Sequence, residues 1–174
     1  MSRIIPIDDA IQMKNEYTTH ISPLIAQRGP NYTPTEFGWI KIEDLRKYLT
    51  LLEQVEKVNN KSISGIRIYF SAYPESAEFQ SSGEKVPESG RETFFLVPTI
   101  KVASTPESLR YENLEHLPFC IDPFDASNNE LEGEFVVING LRHSHDNPST
   151  TTDDDYSNKT SLVMNRYGIT PPPY

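Results

Sequence analysis

His143, His145, Asp146 and Asp153 are the residues of this chain with metal-ligand character. On an extended segment His143 and His145 share one face. A carboxylate from Asp146, or from the run Asp153-Asp154-Asp155, would complete a site for zinc or another divalent cation. Such a site would make the chain a small metal-dependent hydrolase. The competing reading is a solvated loop with incidental histidines, and it is the one favoured, because catalysis needs its ligands on a rigid scaffold and this stretch is polar with nothing to order it.

The remaining chemical candidates are weaker as catalysts. Cys120 has His116 four residues upstream, but Pro118 intervenes and the flanks are apolar, so a buried, inert thiol is expected. The run Asp125-Ala126-Ser127-Asn128-Asn129-Glu130 opens like a calcium loop. It then has Glu130 where glycine is required and Val136 where the bidentate glutamate belongs, so it is read as a turn. Glycine-rich phosphate loops, serine elbows and zinc-finger spacings are absent from the sequence.

Recognition offers more than catalysis. Arg67 and Tyr69 stand on one face of a strand, where a guanidinium and a phenol suit a carboxylate or a protein surface. The plainer reading pairs Arg67 with Glu75 or Glu78 and packs Tyr69 beneath the following loop. That loop, residues 71–92, is too long for a simple strand connection. Its Tyr73 and Phe79 are apolar handles among serines and glutamates, so Arg67, Tyr69, Tyr73 and Phe79 form the candidate binding set.

The elements that must position these residues follow from periodicity. Residues 8–21 place Ala10, Met13, Tyr17 and Ile21 on one helical stripe that Leu24 continues, with Pro23 bending or restarting the helix and Arg28-Gly29-Pro30 ending it. A second helix over 43–59 has Ile42, Leu45, Leu49, Leu52 and Val55 as its apolar face and stops at Asn59-Asn60. A short strand over 37–42 feeds into it. In Gly65-Ile66-Arg67-Ile68-Tyr69-Phe70 the alternation predicts Ile66, Ile68 and Phe70 buried, against Leu45, Leu49 and Leu52 of that helix. Residues 93–102, with four consecutive apolar residues in Phe94-Phe95-Leu96-Val97, read as a strand covered on both faces. Residues 118–121 suggest a short edge strand, 135–140 a further strand ending in a turn, and 160–164 a helical turn or strand. The expected fold is α+β: two N-terminal helices packed on a small, mostly antiparallel sheet with long polar loops. A single domain over 1–174 is expected, with 143–160 a mobile acidic loop.

Composition narrows the class of partner. The net charge is −9, and residues 1–69 contribute +1 against −10 from 70–174. That acidic half repels phosphate backbones, so no nucleic-acid binding is expected. No apolar run approaches the ~20 residues of a membrane span, and no secretory pattern opens the chain. With a single cysteine, a reducing compartment follows, and a cytoplasmic location is expected. No cofactor is implied.

Trp39-Ile40-Lys41-Ile42-Glu43-Asp44-Leu45 at a helix start, Gly65-Ile66-Arg67-Ile68-Tyr69-Phe70, Tyr73-Pro74-Glu75 and Phe94-Phe95-Leu96-Val97-Pro98-Thr99 together resemble a family of uncharacterised bacterial proteins. The resemblance covers roughly residues 37–100, and weakly the proline-rich C-terminal stretch. It implies a bacterial origin and no activity. Members often carry Asn-His-Gly followed by Cys-Pro-Pro, where this chain has Asn165-Arg166-Tyr167-Gly168 and then Pro171-Pro172. The sequence therefore predicts a bacterial, cytoplasmic protein-binding or accessory interaction module, with the metal-dependent hydrolase as the alternative.

Overall fold

Pro23 decides how the N-terminal helix is built. In the computed structural model, which describes residues 4–103, 115–125, 129–142 and 156–165, α1 spans Ile7–Glu16, a π-helical turn covers Tyr17–Ile21, and α2 is Ser22–Ala26. Pro23 has no N–H, and its ring crowds the carbonyl four residues back. The regular ladder cannot pass through it, and the helix widens into a π turn just before. The long helix α3, Ile42–Asn59, opens with Glu43 and Asp44 at its positive end and stops at Asn60, which adopts the left-handed conformation at φ 48°. One long helix is therefore present where two were expected, the N-terminal one being divided into short pieces.

Four strands follow: β1 Gly65–Ala72, β2 Glu92–Lys101, β3 His116–Pro123 and β4 Gly133–Val137, in the sheet order β1-β2-β3-β4. The β2–β3 and β3–β4 pairings are antiparallel. The architecture is thus α+β. The chain divides into two compact units, one built on Met1–Ile40 and Phe70–Thr93, the other on Lys41–Tyr69 and Phe94–Arg166. The division falls within β1 and within β2.

The second unit holds most of the buried apolar side chains. Tyr48, Leu52 and Val55 of α3 are buried, with Leu96 and Val97 of β2, Leu117, Phe119, Cys120 and Ile121 of β3, and Leu162. The buried face of α3 is rotated from the expected one: Tyr48 takes the inner position, while Leu49 is exposed. Tyr48 can do so because its hydroxyl donates to the Leu162 carbonyl at 3.0 Å, which removes the cost of burying a phenol. Asn59 ends the helix as a clamp. Its amide donates to the Val55 and Leu131 carbonyls at 2.9 and 2.7 Å and accepts from the Gly133 N–H at 2.9 Å. Gly133 has no alternative, since a Cβ there would lie 2.0 Å from the Asp122 carbonyl oxygen.

β1 reverses the expected facing. Phe70 is 93% exposed and Ile68 57% exposed, while the Tyr69 ring stacks on Phe95 at 5.1 Å and its hydroxyl donates to the Leu141 carbonyl at 2.5 Å. Tyrosine carries a large apolar ring and a polar tip, so it fills an inward position whenever an acceptor lies at the far end. Alternation of isoleucine with arginine and tyrosine therefore did not identify the covered face.

The expected edge strand at 118–121 is an interior one, and the sheet forks beside it. β2 and β3 are zipped through Thr99–Pro118, Ile100–Leu117 and Lys101–His116. The next pair in register would place Pro98, which has no N–H to give, opposite Phe119. Both Pro98 and Pro118 are fully buried. Three residues beyond Thr99–Pro118, Leu96 and Ile121 would face each other; instead each bonds a third segment. Leu96 exchanges both backbone bonds with Met164, at 3.0 and 2.9 Å, and Ile121 exchanges both with Thr160, at 3.1 and 2.8 Å. Residues 160–164 thus fill the gap between the parted strands. Thr160, Leu162 and Met164 alternate with the exposed Ser161 and Val163, and Leu162 is buried.

In the first unit the long 71–92 stretch is an ordered hairpin. Phe79 N–H donates to the Glu84 carbonyl and Gly83 N–H to the Phe79 carbonyl, both at 2.9 Å, and Glu78 bridges Lys85. Gly83, at φ 69°, supplies the left-handed residue of its tip, and residues 80–83 are exposed.

Candidate functional site

The first unit's charged residues converge on Glu92, the opening residue of β2. Arg28 comes from the turn after α2, Tyr32 and Thr35 from the loop that follows, and Arg91 precedes Glu92 in sequence. The Glu92 carboxylate accepts from Tyr32 Oη at 2.5 Å, from Arg28 Nη1 at 3.1 Å and from the Thr35 N–H at 3.2 Å. The Tyr32 ring lies 5.2 Å from the Arg28 guanidinium and 5.7 Å from that of Arg91. Arg91 also donates to the Thr33 carbonyl and pairs with Glu88 at 3.2 Å. Gly90, at φ 70°, lets the chain turn into this cluster, and a Cβ there would meet the Glu75 carboxylate at 2.7 Å.

Titration of the cluster follows its geometry. Burial alone would raise the Glu92 pKa, but the bonds from Tyr32 and Thr35 outweigh it and hold the carboxyl below its ordinary value. Tyr32 is raised, first by burial and then by the bond and charge of Glu92, with Arg28 opposing. Tyr17 is raised by burial, Glu92 and Glu36, and its hydroxyl donates to the Thr35 carbonyl at 3.3 Å. The carboxylate is already paired and its donors are engaged, so the arrangement clasps rather than reacts. These residues lie up to 64 positions apart in the chain, and sequence reasoning did not group them.

The sequence-predicted binding residues fall in two places. In the second unit, Arg67 Nη1 donates to the Tyr69 hydroxyl at 3.3 Å, and Tyr69 is held by Phe95 and Leu141 as above. In the first unit, Tyr73 is buried, its N–H donates to the Arg91 carbonyl at 2.9 Å, and its ring meets Phe79 edge-on at 6.2 Å. Phe79 is half-buried beside the hairpin tip. His143, His145, Asp146 and Asp153 lie outside the described residues, as does the 126–128 part of the calcium-like run. Among the described residues no group of three or more His, Cys, Asp or Glu side chains is placed to hold a metal ion. Cys120 is buried, as expected, with its Sγ 3.6 Å from the Val136 carbonyl.

Each unit has a surface open to solvent. In the first unit, α1 and α2 and the π turn between them bury no residue, leaving Ile7, Met13 and Leu24 at 73%, 65% and 62% exposure, with Ile11 and Ile21 also exposed. In the second unit, a groove of about 400 Å³ runs between α3, at Asp44, Lys47, Tyr48 and Leu51, and the segment 161–165. No described helix is long and apolar enough to cross a membrane. Comparisons with models of known protein families, with curated proteins and with solved structures give no match to the chain.

Proposed function

We propose that this chain is a protein-binding or accessory interaction module of the bacterial cytoplasm. The observation that carries the reading is the solvated apolar stripe of the first unit's helices. Met13, Ile21 and Leu24 lie on the stripe that an amphipathic helix would bury, and Ile7 and Ile11, one turn apart on another side of α1, are a second exposed apolar pair. Single exposed apolar residues are ordinary; several on one short helical run are what a partner covers. Phe79, beside the exposed hairpin tip, is the member of the Arg67, Tyr69, Tyr73 and Phe79 set best placed to join a contact. The other three act as supports that hold their strands and loop. The acidic surface argues against nucleic acid as the partner.

The test is a triple variant, Ile7→Ser, Met13→Ser, Leu24→Ser. The side chains are already in water, so its melting temperature should match wild type. Proteins captured from native cells by the wild-type chain should be lost with the variant. Equal capture by both, at equal stability, would remove the helix stripe as the binding surface and the reading with it.

A further inference from the structure

After β4 the chain makes one 3-10 turn, Asn139–Leu141, closed by two backbone bonds. The Leu141 N–H donates to the Ile138 carbonyl and the Arg142 N–H to the Asn139 carbonyl, both at 3.0 Å. The Gly140 N–H takes part in neither. Asn139 and Gly140 are exposed, and they are the one Asn-Gly pair in the sequence. The fold does not demand glycine here. Among the described glycines the left-handed ones are Gly83 and Gly90, and a Cβ built on Gly140 would meet nothing within 4 Å. The same open space gives a ring room to form on the Gly140 nitrogen. Before the pair, the Asn139 N–H is held by the Tyr156 hydroxyl at 3.0 Å. After it, the Leu141 carbonyl accepts from the Tyr69 hydroxyl at 2.5 Å. The turn thus lies between two anchors, and a change in its length is felt at Tyr69.

We propose that Asn139-Gly140 is a self-modifying site, at which the Asn139 side chain is converted to aspartate and isoaspartate, and that the isoaspartate branch releases the turn's hold on Tyr69. The reaction needs only water. When the exposed turn opens, its two bonds break and the Asn139 backbone rotates to bring Cγ to the Gly140 nitrogen. That nitrogen bonds to Cγ, the Cγ–NH2 bond breaks, and the Gly140 amide proton leaves with the NH2 as ammonia. A five-membered cyclic imide remains. Glycine favours this step because no Cβ crowds the approaching nitrogen and its backbone turns freely. Water then opens the imide at either C–N bond. Breaking the bond to Cγ gives aspartate. Breaking the bond to the backbone carbonyl carbon gives isoaspartate, whose main chain runs through Cβ and Cγ. Nothing is oxidised or reduced, and a neutral amide has become a carboxylate. In isoaspartate the main chain is one methylene longer, and the carbonyl that accepted from Arg142 belongs to the new carboxylate. The turn cannot close in its present register, and the Leu141 carbonyl leaves Tyr69. The site lies in the second unit and uses no part of the helix stripe, so the serine variant above leaves it untouched.

The test incubates the full folded chain in mildly alkaline buffer and reads the tryptic peptide ending at Arg142 by mass spectrometry, with isoaspartate scored by enzymatic methyl labelling. Asn139 should convert ahead of every other asparagine, with isoaspartate among the products. Gly140→Ala, which the open space accepts, should melt as wild type and convert at least about tenfold more slowly. Isoaspartate material, separated by chromatography, should melt below the unmodified chain. Asn139→Asp, which adds the charge without lengthening the chain, should melt closer to wild type. In a Tyr69→Phe background the hydrogen bond is already gone, so the modification should lower the melting temperature by less. Asn139 left intact in the folded chain, while the urea-unfolded chain converts it, would overturn the site. Equal conversion in Gly140→Ala would overturn the imide route. Isoaspartate material that melts like the unmodified chain, or loses as much with Phe at position 69, would overturn the hold on Tyr69.

Discussion

The two compact units are held by different physics. The second buries aliphatic and aromatic side chains from a long helix and from strands, and its polar groups serve as clamps at the ends. The first buries little. It is tied by a carboxylate, a phenol and two guanidiniums, and it leaves its helical apolar residues in water. Burial is non-directional and large, whereas a half-exposed polar cluster is directional and weak. The second unit is accordingly expected to be the more stable of the two.

The largest effect that would break this comparison is a core deletion. Phe119→Ala should cost about 3–5 kcal/mol in urea unfolding, because the ring is fully buried and stacked on Phe135 at 4.2 Å. The same kind of truncation at exposed positions, Ile7→Ala or Leu49→Ala, should stay within about 0.5 kcal/mol. A similar loss at Ile7 would mean that the units do not differ as described, and one at Leu49 that the buried face of α3 is not the one described.

A smaller effect is expected at the clasp. Glu92→Gln should cost about 1 kcal/mol, the magnitude of charge-assisted bonds reduced by their exposure to solvent. The first unit should open before the second. Tryptic cleavage makes this visible. Lys85 is exposed on the hairpin, whereas Arg91 is held by Glu88 and the Thr33 carbonyl. Wild type should be cut at Lys85 first, with Arg91 protected, and Glu92→Gln should release Arg91. Early cutting at Arg91 in wild type would contradict the clasp.

The smallest effect sharpens the comparison through pH. The Glu92 pKa is depressed on folding, so its contribution is present above the ordinary glutamate value of about 4.3 and disappears as pH falls through the lower folded value. Tyr32 is raised, so its contribution is complete below about 10 and is lost as pH rises through the folded value. Protection of Arg91 from a protease active across the range should hold between these limits and fail outside them. Glu92→Gln should flatten the acid limb and Tyr32→Phe the alkaline one. Unchanged limbs would assign the dependence to other groups.

How much of this was legible in the sequence depended on whether the signal was local. The span of α3, the restart at Pro23 and the stop at Asn60 are matters of a few adjacent residues, and all were readable. The facing of β1 was misread because Tyr69 is apolar over its ring and polar only at its tip, and its partners Phe95 and Leu141 lie far along the chain. The clasp joins residues from before α3 to residues after β1. The fork required knowing that the register brings Pro98 opposite Phe119, which no single window contains. The metal alternative at His143 and His145 lies outside the described residues and stands as an expectation.

The fork also has a consequence in time. Residues 160–164 are made long after the strands they join, and at ~5–20 residues per second the 39 positions from Ile121 to Thr160 take about 2–8 s to synthesise. Through that interval a nascent chain carries two strands whose facing backbone groups at Leu96 and Ile121 have no mate. Unpaired strand backbone is a template for cross-pairing between copies. Ribosomes translating one message hold such copies side by side. Synonymous codon changes that slow translation between Ile121 and Thr160 would then lower the yield of correctly folded protein without altering a single residue.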